Sequence, residues 1–168
     1  MSAIVVWVLG SDSDLPHIED GLAALSTLDV PFEVRNLSAH RSPDAVDELA
    51  RGARARGVRV LIGVAGGAAH LPGVLAARTT LPVIGVPIPT DLSGGLDSLL
   101  SIAQMPAGVP VATVGSNKAG GRNAALLAAE ILATSDERLA VALDAMRAEM
   151  TRAVLQRDRD KGRRLEER

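Results

Sequence analysis

"VRVLIGVAGGAAHLPG", residues 58–73, runs from an apolar, β-branched segment into glycines and alanines and then into the start of a helical pattern. A strand covered on both faces reads as a near-continuous apolar run, which is the habit of parallel sheets. Four more such runs occur: "AIVVWVL" (3–9), "FEVRNL" (32–37), "PVIGVP" (82–87) and "PVATV" (110–114). Helical patterns fall between them at roughly 15–28, 43–56, 70–79 and 95–104, and another follows at 118–134. Strands alternating with helices predict βαβ units. Right-handed crossovers then give an α/β fold, a three-layer αβα sandwich around a mostly parallel sheet.

The 168 residues suit one domain, and a chain of about that length buries enough surface to need no covalent staples. No cysteine is present, which excludes disulfides, thiol nucleophiles and thiolate metal sites and suits a reducing cytoplasm. The amino-terminal "MSAIVVWVLGSDSD" has no basic leader and reads as a strand rather than a signal peptide. No apolar stretch reaches the roughly 18–20 residues that span a bilayer. With 18 basic and 20 acidic residues the chain carries a formal charge of −2. Trp7 and Phe32 are the only aromatic residues, and both lie in strand runs where packing accounts for them. A nucleic-acid binder would show a basic excess or stacking aromatics, so no nucleic-acid partner is expected.

Residues 1–156 read as a single domain and 157–168, "RDRDKGRRLEER", as a solvated, frayed tail of alternating charge. Before the tail, "RNAALLAAEILAT" (122–134) is apolar nearly all round, and such a helix wants burial on every side. A single outer helix of a small sandwich cannot supply that alone, which points to a subunit interface. The stretch 136–156 is amphipathic, with Leu139, Leu143, Met146, Met150 and Val154 on one stripe. It suits packing on its own sandwich and an arm onto a neighbour equally well.

In an open parallel sheet, ligands bind beyond the carboxyl ends of the strands, so the loops there hold the chemistry. After the first strand, "GSDSD" (10–14) suits either an anion cradle of backbone N–H groups or plain helix capping. After the second, "LSAHRSPD" (37–44) sets Ser38, which suits an oxyanion, beside His40 and Arg41. Arg41 can clamp phosphate, His40 can exchange protons near neutrality, and Pro43 stands in a helix's first turn behind a cap at Ser42. A satisfied structural histidine is the competing reading of His40. After the third strand, the glycines and alanines of 65–69 let a flat ring approach the backbone, and His70 either orients that loop or faces the ligand. His17 reads as surface. The sequence has no metal-ligand spacing, no Ser–His–Asp set and no dinucleotide fingerprint. A small phosphorylated ligand and metal-free proton transfer fit this inventory.

Together "GSDSD" (10–14), "SAHRSPD" (38–44), "AGGAAHLPG" (65–73), "LPVIGVP" (81–87), "GLDSLLSIAQMP" (95–106), "GVPVATV" (108–114) and "NAALLAAEILA" (123–133) resemble, in order, the carboxyaminoimidazole ribonucleotide mutases of purine biosynthesis. The resemblance implies a flavodoxin-like sheet and a cytoplasmic homo-octamer with C-terminal helices packed on neighbouring subunits. It implies transfer of a carboxylate from an exocyclic amine to the adjacent ring carbon of an aminoimidazole ribonucleotide, without metal or organic cofactor. It also implies a functional link to the ATP-dependent synthetase that makes the carbamate. By the same resemblance His40 and His70 are the catalytic pair, and Ser11, Asp14, Ser38, Arg41, Gly66, Gly67 and Ala68 bind substrate. Direct carboxylation of the free amine is the family's other branch, which "GGAAHLPG" disfavours; a non-catalytic phosphate-binding module is the reading from another class. "PIPTDLSGG" (87–95) and "GSNKAGG" (115–121) depart from the family's usual runs, with Asp91 where lysine is common. These two loops are expected to border the pocket.

Overall fold

The computed structural model describes residues 3–116 and 118–166, the last five by their backbone alone. Five parallel strands form one sheet in the order β2-β1-β3-β4-β5: β1 Val5–Leu9, β2 Phe32–Asn36, β3 Val60–Ala65, β4 Val83–Pro87 and β5 Ala112–Thr113. The central three are buried along their whole length, as their unbroken apolar runs require. The helices are α1 Glu19–Thr27, α2 Pro43–Gly52, α3 Leu71–Ala76, α4 Leu96–Ala103, α5 Gly120–Ala133 and α6 Glu137–Glu166.

Alternation along the strands divides the core into two halves. Val5, Trp7, Leu9, Val60, Ile62 and Ile84 face α1, α5 and the start of α6, while Val6, Val8, Leu61 and Val83 face α2, α3 and α4. Trp7 is fully buried and Phe32 packs half-buried against the first half. On that face α1 and α5 meet at backbone distance. A Cβ on Gly21 would lie 2.5 Å from the Gly121 carbonyl oxygen, and one on Gly121 would lie 2.3 Å from that of His17.

The predicted elements all form, with trimmed ends. The 15–28 pattern divides, since residues Asp12–His17 make a 3₁₀ turn and the α-helix starts only at Glu19. Pro16 in that turn has no N–H to give an α-helical ladder. β5 keeps two residues of the expected five, for Pro110 cannot donate to the ladder and the strand lies at the sheet's edge. The tail differs most. It is not frayed, because α6 continues to Glu166, and residues 167–168 lie outside the described residues. Gln156 at the foot of the tail donates to Asp160 one turn on, a bond that the helical spacing permits. Residues 157–161 are exposed, as a solvated tail should be.

Packing on the chain's own sandwich holds for the first half of the 136–156 stripe and not for the second. Leu139 and Leu143 are buried and Met146 packs against the chain's own core, whereas Met150 and Val154 are 55% and 59% exposed. Ala124, Ala125, Ala128 and Ala129 of α5 are buried within this chain, and Leu126, Leu127 and Ile131 partly so. Among the described residues no helix is long and apolar enough to cross a membrane.

A candidate active site at the carboxyl edge of the sheet

The direction in which strands are added reverses at β1: the chain winds outward to β2 and then returns past β1 to β3. The crossover from β1 to β2 covers one face of the sheet and that from β2 to β3 the other. Such a switch point opens a crevice between the following loops. A cavity of about 390 Å³ lies there, lined by Gly10, Ser11, Ser13 and Asp14 after β1, by Ser38–Arg41 after β2, and by Ala65, Gly66, Ala68 and Leu71 after β3. A larger cavity, about 560 Å³, opens at the opposite, amino-terminal end of the strands beside Ile4, Asp29, Arg59 and Arg138. Parallel sheets do not place ligands at that end, and no histidine lines it.

The first loop is a capping box. Ser11 Oγ accepts the Ser13 N–H at 3.4 Å and Asp14 Oδ2 accepts the Ser11 N–H at 3.1 Å. The capping reading therefore holds, and the capped loop is also a wall of the cavity. Asp14 is only 6% exposed. Burial pushes its carboxyl above the usual carboxylate range, and the hydrogen bond from Ser11, nearby His17 and weaker bonds from Ser13 and Gly10 partly offset that.

The second loop is wound around Ser38. Its Oγ accepts the N–H of His40 at 3.3 Å and of Arg41 at 3.2 Å, so this serine builds the loop that carries both groups. Ser42 does not cap α2 as expected. Its hydroxyl instead donates to the Ser38 carbonyl and accepts the Ser38 N–H, both at 3.0 Å. Pro43 does open α2. Arg41 reaches across the cavity, donating from Nη2 to the Gly10 carbonyl at 3.0 Å. A guanidinium has five N–H groups, so most of that fork is left for an anion.

The third loop brings the two histidines together. His40 Nε2 and His70 Nδ1 stand 2.8 Å apart with the rings edge to face. A proton must lie between those nitrogens, so each ring fixes the other's tautomer and orientation. His70 does not itself line the cavity, and neither does Gly67. Gly67 sits at φ +66°, its N–H bonded at 2.9 Å to the hydroxyl of Ser98 on α4. That leaves Ser11, Asp14, Ser38, His40, Arg41, Gly66 and Ala68 around the cavity, with His70 behind His40 and Gly67 behind the wall.

Sequence reasoning missed Ser98. Its signal was a serine four residues before Ile102 on the inner side of an apolar helix, with both residues buried. The two divergent loops do not border the cavity. Pro89 and Lys118 instead line a separate depression with His17 and Asp20, and Asn117 lies outside the described residues. His17 is exposed, as expected. Thr90 Oγ1 donates to Asp97 at 2.5 Å; that bond chiefly holds the Asp97 carboxyl below the usual range.

The family model described as AIR carboxylase matches residues 4–153. An N5-carboxyaminoimidazole ribonucleotide mutase of Bacillus subtilis is 52% identical over 156 residues, covering 93% of this chain and 96% of that relative. The bifunctional purine synthesis protein purC/E of Dictyostelium discoideum is 50% identical over 151 residues, 90% of this chain but 15% of that longer protein. Among solved structures, Treponema denticola PurE superposes with a TM-score of 0.84 at 28% identity, covering 92% of this chain and 95% of that one.

Proposed function

We infer the activity from the premise that the chain belongs to the AIR carboxylase family: it is an N5-carboxyaminoimidazole ribonucleotide mutase of purine biosynthesis, and so an isomerase. One observation carries the reading to the level of residues. The loops after β1, β2 and β3 gather Arg41, the buried Asp14 carboxylate, His40 and a glycine-alanine wall around a single cavity, with His70 in contact with His40 from behind.

Arg41 and Ser11 are assigned to the phosphate, which a charge-assisted fork suits. Asp14 is assigned to the ribose hydroxyls, since a carboxylate accepts hydrogen bonds from them. Ser38, Gly66 and Ala68 flank the ring, with Gly67 behind them. The reaction opens as the carbamate N–C bond breaks. Carbon dioxide departs, and the exocyclic nitrogen keeps the electron pair and takes a proton from His40. The electron-rich ring carbon then attacks the trapped carbon dioxide, and the neutral His40 takes the proton from that carbon. His40 ends as it began, so no external acid, base or triphosphate is consumed. Holding carbon dioxide against the ring replaces an encounter in solution with an oriented attack. His70 is assigned to keep the imidazole of His40 turned toward the cavity and to share its proton; their 2.8 Å contact supports this.

The enzyme is assigned to a cytoplasmic homo-octamer, which the exposed Met150 and Val154 on α6 support. A functional link to the ATP-dependent synthetase that makes the carbamate belongs to the same reading. The occurrence of a matching segment inside a bifunctional purine synthesis protein supports coupling to other steps of purine synthesis.

The deciding assay supplies the carbamate ribonucleotide without bicarbonate or triphosphate, and in parallel the free amine with bicarbonate. Efficient product formation in the first arm is expected. Product in the second arm alone would make the protein a direct carboxylase, and binding without product in either would make it a binding module.

A further inference from the structure

Among the described residues two polar side chains are buried, Asp14 and Ser98. Asp14 belongs to the cavity. Ser98, fully buried on α4, does not, and the reaction as written makes no use of it. A buried hydroxyl is costly unless it is hydrogen-bonded, and a serine gains nothing for a helix. Alanine would serve α4 better unless the hydroxyl has a task elsewhere.

Its partner shows the task. Ser98 Oγ takes the Gly67 N–H at 2.9 Å, from a residue 31 positions away in the loop after β3. The Gly67 carbonyl accepts the Ala69 N–H at 2.8 Å, so both ends of this left-handed residue are tied. Gly66 beside it packs close to Ile88, where an added Cβ would stand 3.2 Å from the Ile88 Cβ. The loop pinned in this way presents Gly66 and Ala68 to the cavity and leads directly to His70, whose Nδ1 meets His40. The first turn of α4 is itself clasped by Thr90 and Asp97.

We propose that Ser98 is a positioning residue for the carboxylate transfer. It pins the Gly67 peptide so that the Gly66–Ala68 wall confines carbon dioxide beside the ring and His70 stays against His40. The proposal rests on the mutase reading above and extends it to a residue that touches neither substrate nor cavity. Its signature is a partition. Once the N–C bond has broken and the nitrogen has taken its proton, captured carbon dioxide gives product, whereas escaped carbon dioxide leaves the free amine. A loosened wall favours escape. The phosphate contacts lie on other loops, so substrate affinity is spared.

The test uses the full chain with Ser98→Ala and Ser98→Cys. The second variant is nearly the same size and guards against a packing failure in the first. For each, kcat, KM, the ratio of free amine to carboxylated product and the exchange rate of the Gly67 amide are measured well below the melting midpoint. In Ser98→Ala kcat should fall about tenfold or more and the free-amine share should rise by a similar factor. KM should stay within about threefold of the parent, and Gly67 exchange should quicken about fivefold; Ser98→Cys should fall between. A folded variant with the parent's partition ratio and kcat would overturn the proposal, and so would unchanged Gly67 exchange. If the unmodified protein converts no carbamate, the mutase reading falls, while Gly67 exchange still decides whether Ser98 pins the loop.

Discussion

His40 Nε2 rests 2.8 Å from His70 Nδ1, a contact between the loop after β2 and the loop after β3 made beside the Ser38-wound turn that carries Arg41. The two strands that launch these loops are not neighbours, because β1 lies between them. The histidine proposed to carry the proton and the arginine proposed to hold the phosphate therefore share one loop, while His70 comes from another. On the proposed roles, chemistry and affinity are separable by substitution.

Arg41→Ala removes the charged fork that spans from the second loop to the Gly10 carbonyl. Hydrogen bonds to charged groups are worth roughly 1.5–3 kcal/mol, so ribonucleotide binding should weaken about 10- to 100-fold. The dephosphorylated nucleoside should bind the variant almost as it binds the parent. Calorimetry on both ligands checks this, and equal weakening would remove Arg41 from the phosphate end.

Asp14 couples the site to stability. Burial raises its carboxyl above the ordinary value, so the folded chain holds that proton more tightly than the unfolded one. Its contribution to stability grows as pH falls through the raised value toward about 3.9 and disappears as pH rises back through it. Asp14→Asn should flatten that part of the stability curve and melt no lower than the parent at neutral pH, while binding ribonucleotide more weakly. Melting followed from pH 4 to 8 tests the sign; a marked fall in neutral stability would show that the carboxylate is a net structural asset.

The distal half of α6 bears Met150 and Val154 in the open, four residues apart on one face, beyond the point where Met146 packs on the core. In the proposed octamer that face would be covered. Replacing both with glutamate should shift light scattering at micromolar concentration from the octamer to smaller species without loss of helical signal. A monodisperse monomer for the unmodified protein would contradict the assembly outright.

Much of this fold can be read from the sequence because burial leaves a direct mark. "VVWVL" and "VLIGVA" are apolar throughout since helices cover both of their faces. β5 was harder, as an edge strand next to Pro110 has little ladder to form. The tail misled because alternating charges suit a solvated coil and a solvated helix equally. Ser11, Asp14, Ser38, His40 and Arg41 were legible as polar residues at strand ends, where a parallel sheet puts its ligands. The contact of His70 with His40 was not, since no spacing along a chain encodes the approach of two loops from non-adjacent strands. Ser98 was hidden for a related reason: its helix reads as packing, and its partner is 31 residues away.

The most direct measurement is single-turnover conversion of the carbamate ribonucleotide by His40→Asn, with ligand binding measured on the same folded sample. Asparagine keeps part of the shape and the hydrogen bonding but cannot titrate near neutral pH. General acid–base catalysis contributes about 10²–10⁴-fold, and His40 serves both proton transfers, so conversion should fall at least that far. Affinity should hardly change, because Arg41 and Ser11 remain. Near-normal conversion at saturating ribonucleotide would contradict this mechanism, and lost binding with unchanged chemistry would leave His40 a ligand contact alone.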